Sequence, residues 1–194
     1  GYSESKSPKK RSEDESTRRY SESRSPKKRS EDESKQPIKI NEVEDDMSEA
    51  IEYYKTGLRL YHGRRCEADH PLALKYFQKA AHRNHVESQL FYAKMLFNGD
   101  GVPADKVRAA KYFNFAADSG NIEAMKMYAT MLKDGDGIPK DLALSALYFK
   151  MAADNDDSSS MLEYAKIIYE GIENDCNKEE AAEYYRREAN KGDV

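Results

Sequence analysis

The sequence contains no tryptophan and only two cysteines, Cys66 and Cys176, among 194 residues. Two isolated thiols cannot form the disulfide framework of a small secreted domain, and they fit a reducing compartment. The cytoplasm is the expected location, with the nucleus as a second expectation. No apolar run approaches the roughly 18 residues of a membrane span, so no membrane partner is expected. No apolar segment near the N-terminus reads as a secretion signal. The chain starts on Gly1 rather than Met, so a fragment or processed form is expected. A strong charge of one sign is also missing: 32 basic residues stand against 36 acidic ones. That balance offers no basic face for nucleic acid.

What is present falls into two parts of unlike composition. "YSESKSPKKRSEDES" at Tyr2–Ser16 returns as "YSESRSPKKRSEDES" at Tyr20–Ser34, a period of 18 residues. Residues 1–46 hold 12 basic and 12 acidic side chains and almost nothing apolar. Such a segment cannot bury enough surface to offset its chain entropy, so a disordered tail is expected. Ser7 and Ser25 precede Pro-Lys-Lys, and Ser12 and Ser30 precede Glu-Asp-Glu. These four serines are phosphorylation candidates, and phosphate would turn the balanced tail acidic. The PKKR runs weakly suggest nuclear import or DNA contact, but the interleaved acidic runs oppose binding to phosphates.

From Met47 the composition shifts to Ala, Leu, Tyr, Phe and Met. Ser48 is the expected cap of the first helix. The rest divides without gaps into four 36-residue blocks, 50–85, 86–121, 122–157 and 158–193. Gly63, Gly99, Gly135 and Gly171 align, as do Tyr76, Tyr112, Tyr148 and Tyr184. Phe77, Phe113, Phe149 and Tyr185 follow them, then Ala81, Ala117, Ala153 and Ala189. Asp69, Asp105 and Asp141 form a further column, with Asn177 in the fourth block.

Each block decodes as two helices. A Gly suits the left-handed end of the first. A short loop follows, with Pro103 unable to continue that helix and Asp105 placed to accept from the free amides of the second. Paired alanines allow close approach of the next block's first helix, and the Tyr-Phe pair fills the wider seam. One hairpin cannot bury such a face alone, so the blocks must stack. The expected fold is all-α: a right-handed α/α superhelical solenoid of four helix-turn-helix repeats.

These columns, with "NGDGVPAD…AAKYFNFAADSGN" and "DGDGIPKD…SALYFKMAADNDD" in blocks two and three, resemble the Sel-one-like repeat, a relative of the tetratricopeptide repeat. Block one departs in its loop, "HGRRCEADHP", and block four in "EGIENDCN". The resemblance covers about 144 residues and is specific as to fold. Its matching residues are structural ones, so it implies little about function.

No convergent catalytic set is visible, and no enzyme, cofactor or small-molecule substrate is expected. His62, Cys66 and His70 have metal-like spacing at one turn, but His82 and His85 lie about 20 Å away along the second helix. Solvated histidines are the simpler reading, and no metal is expected. The Gly-Asp-Gly turns lack the following Lys-Ser/Thr of a phosphate loop and the oxygen ligands of a calcium loop. The carboxylates of block four, Glu173, Asp175, Glu179, Glu180 and Glu183, read as a solvated acidic rim.

Function is therefore expected on a surface. In stacked helix pairs the first helices line the concave side. The positions free of stacking are Lys55 and Leu58, Phe91 and Lys94, Met127 and Thr130, Glu163 and Lys166, with Asn98, Asp134 and Glu170 near the helix ends. Phe91 and Met127 read either as a peptide-binding strip or as the edge of the core. The expected role is a protein-interaction scaffold or adaptor holding a partner peptide. The alternative is a regulatory or inhibitory subunit of an enzyme, with the phosphorylatable tail controlling the groove. The fourth block lacks a polar capping helix, so either further repeats or pairing of two copies through that end is expected.

Overall fold

The computed structural model describes residues 40–63, 67–171 and 177–191, with side chains from Asp46 onward. The tail serines Ser7, Ser12, Ser25 and Ser30, both cysteines, Glu173 and Asp175 lie outside the described residues. Eight helices are described: α1 (Ile40–Tyr61), α2 (His70–Ala81), α3 (Val86–Asn98), α4 (Lys106–Asp118), α5 (Ile122–Asp134), α6 (Leu142–Asp154), α7 (Ser158–Glu170) and α8 (Lys178–Lys191). Each packs on its neighbours in sequence, giving a solenoid of four helix pairs.

α1 corrects the expected start. It begins at Ile40, so Ser48 lies inside the helix rather than capping it. Arg83, at the end of the first pair, reaches the helix on either side of Ser48: its guanidinium holds Asp46 at 2.8 Å and Glu49 at 2.5 Å.

The turns follow backbone demands written in the columns. Asp69, Asp105, Asp141 and Asn177 each accept the amide three residues on, at 2.9–3.0 Å, capping the second helices. Their own amides donate to Leu60, Leu96, Leu132 and Ile168, clamping the two helices of each pair. First helices are capped by His85, Asn121 and Asp157. Gly99 and Gly135 end α3 and α5 in the left-handed region, whereas Gly171, at φ 92° and ψ 141°, leaves α7 differently. The loop of block four departs where its sequence does.

Stacking buries the small and aromatic columns. The alanine pairs 80/81, 116/117 and 152/153 are at most 3% exposed, as are Phe77, Phe113 and Phe149. Tyr185, their counterpart in the fourth pair, is 37% exposed, because nothing among the described residues stacks beyond it. The tyrosine column joins successive repeats through its hydroxyls. The Tyr148 hydroxyl donates to Asp118 at 2.9 Å and lies 2.7 Å from the Asn114 side-chain amide, and Tyr184 donates to Asp154 at 2.8 Å. Tyr112 meets His82 Nε2 at 3.0 Å, the same step of 30 residues. Burial and the Asp154 carboxylate push the Tyr184 hydroxyl up to about 12.

Candidate functional site

The first helices α3 and α5, and most of α7, are consumed by stacking, whereas in α1 only Ala50 and Gly57 are buried. Leu90, Tyr92, Ala93, Met95 and Leu96 of α3 are all buried. The accessible positions common to all four are 51, 55, 58 and 62 of the first repeat and their counterparts, while Arg59 of α1 and Leu162 and Tyr169 of α7 are exposed outside that stripe. The expected site residues all fall on it.

They are not equally free. Lys55, Asn98, Thr130, Asp134 and Lys166 are exposed. Phe91 is half-buried, stacked on Phe77 at 5.2 Å with 20° between planes and edge-on to Tyr54 and Tyr61. Met127 and Leu58 are also half-buried against the core. These three are the edge of the core more than a free strip, since the α2 aromatic Phe77 reaches Phe91 from beneath.

Ion pairs cross the stripe. Lys94 of α3 holds Glu123 of α5 at 2.6 Å, and Lys133 of α5 holds Glu163 of α7 at 2.8 Å. Lys166 reaches the other Glu163 oxygen at 2.7 Å. The two ammonium groups hold the Glu163 carboxyl below its ordinary value. Thr130 donates to the Lys126 carbonyl at 2.8 Å, and Asn98 leans on Asp100. Lys55 pairs with Glu52 at 2.8 Å.

Two residues absent from the expected set belong beside it. A cavity of about 260 Å³ is lined by Lys55, Leu58, Arg59 and His62. Arg59 shares its column with Met95, Met131 and Ile167, which later repeats bury. A charged residue in an otherwise apolar column was the available signal, because the first repeat has no described repeat before it.

The histidines of the first turn do not converge on one site. His70 stacks on Tyr61 at 4.9 Å, and His62 meets the same ring edge-on at 5.2 Å. Among the described residues no three His, Cys, Asp or Glu side chains come together as metal ligands. His85 accepts the Ser88 amide at 3.2 Å through Nδ1, and burial holds its imidazole below the ordinary value. None of the described helices is long and apolar enough to cross a membrane.

An all-helical stack of pairs built on recurring columns defines a helical-repeat protein. The Sel1 repeat matches residues 53–85, 86–121, 122–157 and 158–193, and the chain belongs to the Sel1 repeat family. Proteins of this family are in general interaction scaffolds that bind other proteins, and are typically non-enzymatic. No curated protein shows significant similarity to the chain. Among solved structures it is similar to c5321, a protective antigen of uropathogenic Escherichia coli strains displaying an SLR fold, at 24% identity and a TM-score of 0.69. That match covers 80% of this chain and 34% of the antigen. It is also similar to a Sel1 repeat protein from Oxalobacter formigenes, at 21% identity and a TM-score of 0.70, over 76% of this chain and 61% of that one. The chain thus spans about a third and three-fifths of their lengths, and the likeness is one of fold.

Proposed function

We propose that this chain is a non-catalytic scaffold that holds a peptide segment of a partner protein along the inner stripe of α1, α3, α5 and α7. The supporting observation is the contrast within those helices. In α3 and α5 the other faces are locked into stacking, while the stripe across the four helices offers exposed Lys55, Thr130, Asp134 and Lys166 beside half-buried Leu58, Phe91 and Met127. Such a surface suits an extended or amphipathic segment: apolar edges supply area, and the flanking charges fix register. The ion pairs Lys94–Glu123 and Lys133–Glu163 brace the stripe, which lowers the cost of ordering it on binding.

The test is fluorescence polarisation of the full chain with a peptide selected on it from a random display library. Thr130→Arg with Lys166→Glu, both exposed, should weaken capture at least about tenfold, which is about 1.4 kcal/mol. Lys75→Glu, on the opposite side of the helix pairs, should not. Equal affinity for all three proteins would move the ligand off the stripe.

A further inference from the structure

The outward sides of the second helices sort their charges by repeat. α2 holds Lys75 and Lys79 and no acidic residue, and α4 holds Lys106, Arg108 and Lys111 with no acidic residue before its terminal Asp118. α8 instead carries Glu179, Glu180, Glu183 and Glu188. α2 and α4 lie side by side, joined where His82 Nε2 meets the Tyr112 hydroxyl at 3.0 Å. The seam between them holds no carboxylate: Gln78 and His82 occupy the columns that carry Asn114 and Asp118 between α4 and α6.

The outer lysines of these two helices differ from those elsewhere. Lys94, Lys106, Lys133 and Lys150 each hold a carboxylate one repeat further on, at 2.6–2.8 Å. Lys75, Lys79 and Lys111 are exposed and have no ion-pair partner among the described residues. The ammonium groups of Lys79 and Lys111 rest over the Tyr53 and Phe115 rings, at 5.2 and 5.7 Å. Five carboxylates at the edges of this surface are engaged. Asp69 and Asp105 cap α2 and α4, Asp46 and Glu49 hold Arg83, and Asp118 accepts Tyr148. Among the three lysines stand Leu72, Val107 and Phe115, 38%, 65% and 42% exposed. Cations interleaved with apolar side chains fit a partner that offers both carboxylates and apolar groups.

We infer that this surface of α2 and α4 binds an acidic amphipathic segment of a partner protein. Its carboxylates meet Lys75, Lys79 and Lys111, and its apolar side chains cover Leu72, Val107 and Phe115. A nucleic acid supplies the charge but not the apolar side chains. An anionic membrane supplies both, but it is extended and would also meet Glu179 and Glu183 on the same side of α8. Two neighbouring helices offer the width that one helical segment needs. This surface lies across the helix pairs from the inner stripe, so the two sites are independent.

Fluorescence polarisation of the full chain tests this with a labelled peptide of about 14 residues, roughly 20 Å long as a helix. Leu stands at its third and fourth positions in turn, and Glu elsewhere. It should bind, and the same peptide with Lys for Glu should not. Lys75→Glu with Lys111→Glu should weaken binding at least about tenfold, with the circular dichroism unchanged. Leu72→Ser with Val107→Ser, both exposed in the first turns of their helices, should weaken it at least about fivefold. Thr130→Arg with Lys166→Glu, on the inner stripe, should leave it unchanged. No binding by the wild type overturns the inference, as does full affinity in the double lysine variant. Loss only in the inner-stripe variant overturns it too, and places the peptide on the stripe. So does capture of oligouridylate or of phosphatidylserine vesicles, lost with the same two lysines, by a chain that ignores the peptide.

Discussion

Gly101 is the position at which the stacking of repeats is tested by a single carbon atom. Its φ is +81°, a region that costs an L side chain roughly 1–2 kcal/mol. Its turn also presses on the preceding repeat. A Cβ built there falls 2.6 Å from the carbonyl carbon of His70 and 2.6 Å from the nitrogen of Pro71, both backbone atoms at the start of α2. A side chain could swing aside, but these atoms cannot, so the repeats must part. Overpacking of this kind costs about 1–3 kcal/mol. Gly101→Ala should therefore lose roughly 2–5 kcal/mol in all. Gly120 supplies the control: its φ is +91°, but nothing lies within 4 Å of an added Cβ. Gly120→Ala should lose only the backbone part, about 1–2 kcal/mol. With a urea m-value of about 2 kcal/mol/M, the two midpoints should differ by about 0.5–1.5 M. Urea unfolding followed by circular dichroism reads this difference. Equal midpoints would refute the claim that this turn seats against the neighbouring repeat.

Three further perturbations have determined signs. The His85 cap requires a neutral imidazole, and its folded-state pKa lies below the ordinary 6.5, so its stabilisation is complete above that value and is lost as pH falls through the folded pKa. His85→Asn, which copies the Asn121 cap, should flatten the decline in thermal midpoint between about pH 7 and 5, whereas His85→Ala should cost about 1 kcal/mol at pH 7.5. Tyr148→Phe removes the hydroxyl that joins α6 to Asn114 and Asp118, and should cost about 1–1.5 kcal/mol in urea unfolding. Phe91→Asp places a charge against Phe77 and should destabilise the fold by at least about 3 kcal/mol, seen as a fall in thermal midpoint before any ligand is added.

The repeat was legible because its columns answer backbone demands. Gly99 and Gly135 had to be left-handed, and Asp105 and Asp141 had to cap, whatever they packed against. The paired alanines disclosed close approach before any partner was known. Three features were less accessible, each decided by residues distant in sequence. α1 runs from Ile40 through Ser48, and Arg83 pairs with Asp46 and Glu49 on either side of that serine, partners that lie more than thirty residues apart in sequence. His85 is an unusual cap by type, though its column with Asn121 and Asp157 carried the hint. Phe91 lies on the accessible stripe, as its spacing indicates, but the ring of Phe77 stacks beneath it and draws it into the edge of the core.

Whether the inner stripe carries a partner is read most directly by titrating the full chain with the library-selected peptide and following backbone amides by NMR. Perturbations should concentrate at Lys55, Phe91, Thr130, Glu163 and Lys166 on α1, α3, α5 and α7. Perturbations confined to α2, α4, α6 and α8 would contradict the assignment.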